Sequence, residues 1–266
     1  SFNKSIKSWD IRSSRGFSSE VLNAKKIAKI TPTINNKFKH AFLSHEWGKV
    51  TEPFDIVESL ANSAQKSGVV FYKNQVNGIS ECLNSVLIDA ENGSFKYDAV
   101  IIAAGIDSIS FAKSLGDFLP MTAERGYNLT IPSPNIQIDI PIVFADRGIV
   151  ATSLRSGLRI GGWAEYANPR RPANQAYFES ITRISQELFP GLSVEGANFW
   201  MGSRPSMPDS LPVISKSRKM NRVFYNCGHG HYGLTHAATS AKLVCDLLAD
   251  DQNLSVSGLF SINRFI

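Results

Sequence analysis

A glycine-rich turn between a short apolar run and a small-residue helix constrains this chain more than any other feature. Asn226 to Thr235 reads Asn-Cys-Gly-His-Gly-His-Tyr-Gly-Leu-Thr. Val223, Phe224 and Tyr225 before it read as a buried strand, and Ala237, Ala241, Val244 and Leu248 after it recur at helical spacing, with Thr235 as the expected N-cap. Gly228, Gly230 and Gly233 let the backbone turn tightly and approach a ligand closely. The helix start offers unpaired N–H groups and a partial positive charge, so the stretch predicts an anion-receiving site. Gly228 to Gly233 also spells G-x-G-x-x-G, but a complete dinucleotide-binding unit needs roughly 30 residues, a second parallel strand and an acidic residue about 20 positions on. Only Leu259 to Ile262 forms a further apolar group, and Asp246 and Asp250 fall within or at the end of the helix. The turn is therefore read as receiving part of a cofactor whose phosphates are held elsewhere.

Composition narrows the class. The 266 residues, 43% hydrophobic and 19% charged, suffice for one large core or two domains and argue against disorder. The formal charge of +5 is scattered, with no basic run longer than Lys25-Lys26 or Arg170-Arg171, so a solvated basic surface is expected and no nucleic-acid partner. Cys82, Cys227 and Cys245 lie far apart, which points away from a disulfide framework and towards a reducing, cytoplasmic compartment. No apolar stretch approaches a membrane span and no signal peptide is visible. The chain starts at Ser1 and not at Met, and a removed upstream segment is expected.

Along the chain, Ser1 to Ser19 gives no element and Ser19 to Ile30 reads as a helix stopped by Thr31-Pro32. Phe42 to Gly48 reads as a loop. Thr51 to Gly68 is the clearest helix, with Thr51 as cap, Pro53 in the first turn and a stripe of Phe54, Val57, Leu60, Ala61 and Ala64. Strands are expected at Val69–Tyr72, Val76–Ile79, Ser85–Ile88, Phe95–Tyr97 after the Asn92-Gly93 turn, and Val100–Ala104. From Pro120 to Trp200 short strands at Tyr127–Ile131, Ile142–Phe144, Ile149–Thr152 and Leu158–Ile160 predict an antiparallel sheet, interrupted by a helix over Asn174 to Phe189. After Arg204 the prolines at 205, 208 and 212 favour an extended path back to the first domain.

In this order the features resemble the flavin-dependent D-amino-acid oxidase superfamily, above all bacterial D-amino-acid dehydrogenases. The stretches that carry the resemblance are Asn74-Gln75-Val76, the strand end Val100-Ile-Ile-Ala-Ala-Gly105, Gly202-Ser-Arg-Pro-Ser-Met-Pro-Asp-Ser-Leu-Pro-Val-Ile214 and the turn Gly228 to Thr235. Glu124-Arg-Gly-Tyr127 and Gly161-Gly162 to Glu165 are weaker matches. The resemblance implies an α/β (α+β) chain: an incomplete, Rossmann-like FAD-binding domain over 22–120 and 205–250, into which an antiparallel-sheet substrate domain over 121–204 is inserted, with 1–21 and 251–266 as flanks. It also implies that the opening strand, glycine turn and helix that seat the FAD pyrophosphate are missing. An isolated chain of this kind is expected to be inactive and to bind FAD weakly or not at all.

Residue by residue, the resemblance places the substrate carboxylate on Arg204, whose planar fork of donors suits two carboxylate oxygens. It places the flavin on Gly228, His229, Gly230, Tyr232, Gly233, Leu234 and Thr235, with Ala103, Ala104 and Gly105 beside the cofactor and the Val76 backbone at the adenine. His231 falls at a substrate-facing position, and Tyr127 either donates to substrate or packs in the sheet. Asp209 reads as a turn residue, and Trp163, Tyr166 and Trp200 as pocket-wall candidates or core. Alternating Cys227, His229 and His231, with His236 near, invite a metal, but the intervening glycines and the lack of a second ligand pair at zinc spacing argue against one.

The implied reaction is oxidative deamination of a D-amino acid, with hydride passing from the α carbon to flavin and keto acid and ammonia released. The expected partners are a small amino-acid substrate and an electron acceptor, a quinone or another, with room for peripheral contact at the inner membrane of a bacterium. Rival readings are a glycine, sarcosine or hydroxyproline oxidising relative, a non-catalytic subunit or binding module, and a flavin domain acting on RNA.

Overall fold

The computed structural model describes residues 2–249 and 257–265; Asp250 lies outside them. The chain opens with helix α1 (Phe2–Ser13), where the sequence pattern predicts no element. Its Trp9 ring stacks on Phe42 at 5.1 Å, so aromatic packing supplies what periodicity does not. Strand β1 (Glu20–Asn23), helix α2 (Ala24–Ile30) and strand β2 (His40–Leu43) follow, with β1 and β2 antiparallel. The single helix expected from Ser19 is thus split. Val21 and Leu22 pair with Phe42 and Ala41, and Asn23 then caps α2 by accepting from the Lys26 N–H. The same pairing turns the start of the expected 42–48 loop into strand.

Helix α3 (Pro53–Lys66) has Pro53 in its first turn as expected, but its cap is Glu52, not Thr51, and makes no side-chain cap bond. Its apolar stripe is there without being covered: Phe54, Val57 and Leu60 are 65%, 56% and 60% exposed. Val69–Tyr72 is not a strand; no strand among the described residues pairs with it. The meander is present as β3 (Val76–Cys82), β4 (Ser85–Ala90) and β5 (Gly93–Tyr97), all antiparallel, and β6 (Val100–Ile102) and helix α4 (Ser108–Ser114) follow.

A five-stranded sheet is built from β7 (Thr122–Ile131), β8 (Ile142–Phe144), β9 (Ile149–Leu154), β10 (Gly157–Tyr166) and β11 (Asn198–Ser206), in the order β11-β7-β10-β9-β8. Helix α5 (Gln175–Leu188) lies between β10 and β11 in sequence and is capped by the Asn174 side chain, which accepts from the Ala176 N–H. Gly161 is required where β10 passes β7, because a Cβ there would lie 2.5 Å from the Tyr127 carbonyl oxygen. The chain ends with β12 (Val213–Lys216), β13 (Val223–Cys227), α6 (Gly233–Leu248) and the short helix α7 (Ser257–Phe260). In the order β12-β13-β6, β13 is antiparallel to β12 and parallel to β6.

The chain divides into two compact units. One comprises Ser1–Val69, Gly126–Ala164 and Pro172–Met201, the other Val70–Arg125, Glu165–Arg171 and Gly202–Ile266. Leu129, Ile149, Ile160, Ile181, Leu188 and Phe189, all without solvent contact, form the heart of the first. Val86, Ala112, Val213, Val223, Tyr225 and Ile262 do so in the second. Each valine, leucine, isoleucine or phenylalanine among them contributes about 1.5–3 kcal/mol. In the second unit Asp117 is buried yet fully engaged, accepting from the Ser217 hydroxyl, the Arg218 N–H and the Tyr225 hydroxyl. Among the described residues no helix is long and apolar enough to cross a membrane.

Candidate active site

The second unit brings the glycine turn and the Val100-to-Gly105 strand end to one edge. Strands β13 and β6 run parallel, with Tyr225 level with Ile102, so the chain leaves both at the same end, into Gly228 on one side and Ala103 on the other. Crevices beyond the carboxyl ends of parallel strands are where open α/β sheets take ligands. Gly228 has φ +79° and its α carbon faces Met207, whose Cγ would lie 2.7 Å from an added Cβ. The Gly230 N–H donates to the Pro205 carbonyl, which ties the turn to the end of β11.

Helix α6 begins at Gly233, two residues before the expected Thr235 cap. Its cap residue is Tyr232, without a side-chain cap bond, so Thr235 sits inside the first turn. The first-turn N–H groups of Gly233, Leu234 and Thr235 therefore gain no acceptor from that cap, and a helix start in this state favours negative charge. His229 hydrogen-bonds through Nε2 with Ser240 Oγ at 2.9 Å, and burial, with the His236 charge, holds its pKa below the ordinary histidine value. Burial pushes the Cys227 thiol up to about 11, so it stays protonated. The side chains that invited a metal thus have separate partners, and among the described residues no group of three such ligands comes together.

A cleft of about 400 Å³ is lined by Thr122, Glu124, Tyr166, Met207, His229 and His231, among others. At its wall lies a group that the sequence did not single out as functional. Glu124, on β7 and 7% exposed, accepts from the Ser206 hydroxyl through Oε2 at 2.8 Å and from His231 Nε2 through Oε1 at 2.5 Å. Arg204 Nη1 stands 3.6 Å from the same Oε1, within ion-pair range and beyond hydrogen-bonding distance, and this buried atom has no hydrogen-bond partner among the described residues. Burial pushes the Glu124 carboxyl up, but the hydrogen bonds from Ser206 and His231 and the charges of His231 and Arg204 outweigh it and hold its pKa below the ordinary value. The site therefore keeps a fixed carboxylate beside a guanidinium with an unused donor. Arg204 is not itself a lining residue of this cleft and adjoins it through Glu124.

The remaining sequence-predicted residues are more scattered. Ala103 and Ala104 are exposed beyond β6, and Gly105, at φ +56°, opens a short 3-10 turn. Val76 starts β3 opposite Ala90 and follows Asn74, whose buried Oδ1 has no hydrogen-bond partner. Tyr127 lies in the core of the first unit, 1% exposed, stacked on Tyr177 at 4.6 Å and accepting from the Asn174 N–H. Trp163 donates to the Arg147 carbonyl in the same unit, Tyr166 lines the cleft, and Trp200 is 58% exposed. Glu124 entered the sequence reading only within the weaker match Glu124-Arg-Gly-Tyr127 and not as a site residue, because the run from Ala123 to Tyr127 is buried throughout and no face-by-face alternation sets its carboxylate apart.

A parallel-strand edge with a glycine turn, an uncapped helix start and an arginine–carboxylate pair all belong to the second unit. Sequence comparison makes the class definite: residues 2–247 match the family of FAD dependent oxidoreductases, and the chain belongs to that family. It is 31% identical over 263 residues to a D-amino-acid oxidase of Bradyrhizobium diazoefficiens, covering 97% of this chain and 62% of that protein. It is 32% identical over 217 residues to a D-amino acid dehydrogenase of Neisseria meningitidis serogroup C, covering 78% and 51%. The chain thus spans about half to three-fifths of the length of these relatives. Glycine oxidase from Geobacillus kaustophilus has the same fold, with a TM-score of 0.81 at 22% identity, over 96% of this chain and 69% of that structure. So does an FAD-bound L-α-glycerophosphate oxidase from Mycoplasma pneumoniae, with a TM-score of 0.76 at 20% identity, over 87% and 64%.

The cofactor of the family is FAD, and the residues at the parallel edge fit part of it. The α6 start offers N–H donors, Ala103, Ala104, Leu234 and Thr235 present small or exposed surfaces, and the buried Asn226 Oδ1 lacks a hydrogen-bond partner among the described residues.

Proposed function

We propose that this chain carries the carboxylate-binding and flavin-receiving parts of an oxidoreductase that converts D-amino acids to keto acids and ammonia. The observation that carries the reading is Arg204: a guanidinium with a buried, unused donor, held beside a cleft that opens on the glycine turn. The names of its relatives, D-amino-acid oxidase and D-amino acid dehydrogenase, support the substrate class.

Arg204 binds the substrate carboxylate with its planar fork, each charge-assisted hydrogen bond contributing about 1.5–3 kcal/mol. That falls well short of the ~8 kcal/mol or more an enzyme supplies, so Arg204 orients the substrate and does not carry the reaction. FAD, when bound, supplies the two-electron acceptor. The N–H groups of Gly233, Leu234 and Thr235 would hold the anionic edge of the cofactor without any titrating group. His229, neutral and tied to Ser240, shapes the turn. An electron acceptor, such as a quinone, would complete the cycle.

The test is the visible spectrum of the FAD-loaded protein, expressed from its complete reading frame, recorded without oxygen while D- and L-amino acids are added. Bleaching by D-amino acids alone is expected, with Arg204→Ala bleaching only at substrate concentrations at least tenfold higher. Bleaching by L-amino acids, or an Arg204→Ala variant with unchanged substrate dependence, would remove the reading.

A further inference from the structure

We propose that Glu124 is the positioning residue that holds Arg204 and His231 together as one carboxylate clamp, an inference that rests on the reading of Arg204 above. Three side chains from two regions of the chain converge on this single carboxylate. Arg204 and Ser206 are two residues apart on β11, so both project from the same face, and β7, which carries Glu124, is the neighbouring strand. His231 arrives from the glycine turn, 107 residues on in sequence. Arg125, the next residue of β7, alternates to the other face and is engaged there by Glu165 at 3.2 Å and the Arg171 carbonyl at 2.8 Å.

The geometry decides what Glu124 does. Its Oε2 accepts from Ser206 and its Oε1 from His231, so the carboxylate is held between two neighbours that it organises in turn. At 3.6 Å it compensates the charge of Arg204 without consuming a donor of the fork. Without that charge, the buried edge of the guanidinium would have no counter-ion within reach among the described residues and would be drawn towards water. The His231 side chain is 48% exposed, so its bond to Glu124 is what fixes the ring against solvent.

The test uses the FAD-loaded protein and benzoate, a carboxylate with no α-amine to oxidise, together with NMR of 15N-labelled histidine. In Glu124→Gln, benzoate affinity falls about tenfold or more, because the partly buried guanidinium loses its partner. The ring-nitrogen signals of His231 shift, while those of His229, held by Ser240, stay in place. Glu124→Asp, which keeps the charge one methylene back, recovers part of the affinity, and it is read by the same signals should the glutamine variant fail to fold. A lower melting temperature with benzoate affinity and His231 signals at their wild-type values would overturn the inference. So would tighter benzoate binding in Glu124→Gln, which would make Glu124 a repulsive wall. If Arg204→Ala binds benzoate as wild type does, the Arg204 reading fails by itself, and the His231 signals still decide whether Glu124 organises that side chain.

Discussion

At position 228 two costs can be separated. The backbone sits at φ +79°, where a side chain costs about 1–2 kcal/mol, and an added Cβ would lie 2.7 Å from Met207 Cγ and 3.0 Å from its sulfur. Gly228→Ala is therefore expected to lose about 2–4 kcal/mol in denaturant unfolding, the overpacking adding to the backbone term. Adding the same change to Met207→Ala should still cost the backbone share; if it costs nothing, the strain lies wholly in the methionine contact. His229 gives a pH signature. Its folded pKa is depressed, by burial first and then by the charge of His236, so the unfolded chain binds the proton first, near pH 6.5. Stability is complete above that value and declines as pH falls through the folded value. His229→Gln should flatten the melting temperature between pH 7 and pH 5, and an unchanged slope would place this acid sensitivity elsewhere. Glu124, also depressed, has the same sign in a lower window, beginning near pH 4.3. The glycines that need their backbone freedom were legible as residues, whereas Glu124 acquires its role only when β7 and β11 bring it to Arg204 and His231.

Elements differ in how far their sequence determines them. The stripe of α3 and its proline entry are local and readable, but what covers the stripe is not, and Phe54, Val57 and Leu60 stand exposed. Val57→Ser should therefore change the stability of this chain by less than about 0.5 kcal/mol in denaturant unfolding. A loss above about 2 kcal/mol would show that the face is buried in solution. Val69–Tyr72 fails as a strand for a related reason: β propensity needs a paired neighbour, and none of the described strands provides it. The segment from Met207 to Leu211 shows the converse, a loop fixed from far along the chain. Ser210 holds φ +62°, the one positive value outside glycine among the described residues, and the loop is anchored by Arg264. Arg264 Nε donates to Asp209 Oδ2 at 2.7 Å, its Nη2 donates to the Leu211 carbonyl at 2.7 Å, and the Arg264 bond is the main reason the Asp209 carboxyl lies below its ordinary pKa. Since Met207, Pro208 and Ser210 line the cleft, Arg264→Ala should lower stability by about 1–3 kcal/mol and weaken benzoate binding in parallel. Lost stability with intact binding would mean that the loop keeps its shape without the arginine.

For the whole molecule, the order of elements was largely readable because turns, caps and periodicities are local signals, while the pairing of distant stretches leaves no local signal. Each unit gathers three separated stretches of chain, and the cluster at its centre depends on residues far apart in sequence. The parallel pairing of β13 with β6 is the plainest case, since Val223 meets Val100 across more than a hundred residues. Such long closures are slow to form and gain stability only when the whole set is present. The carboxy-terminal stretch 202–266 tests this directly. It contains β12, β13 and α6, but not β6 beside β13, and it lacks Val86, Ile102, Ala112 and Leu115 from the shared core. Expressed alone, it should show little helix by circular dichroism and no cooperative thermal transition, because α6 buries only Ser240 and Val244 even in the intact chain and an isolated helix of its length is marginal in water. A sharp, reversible melt from this stretch would show that the glycine turn and its helix form an independent folding unit, and the site would then be assembled on a preformed scaffold instead of being completed by β6 and β7.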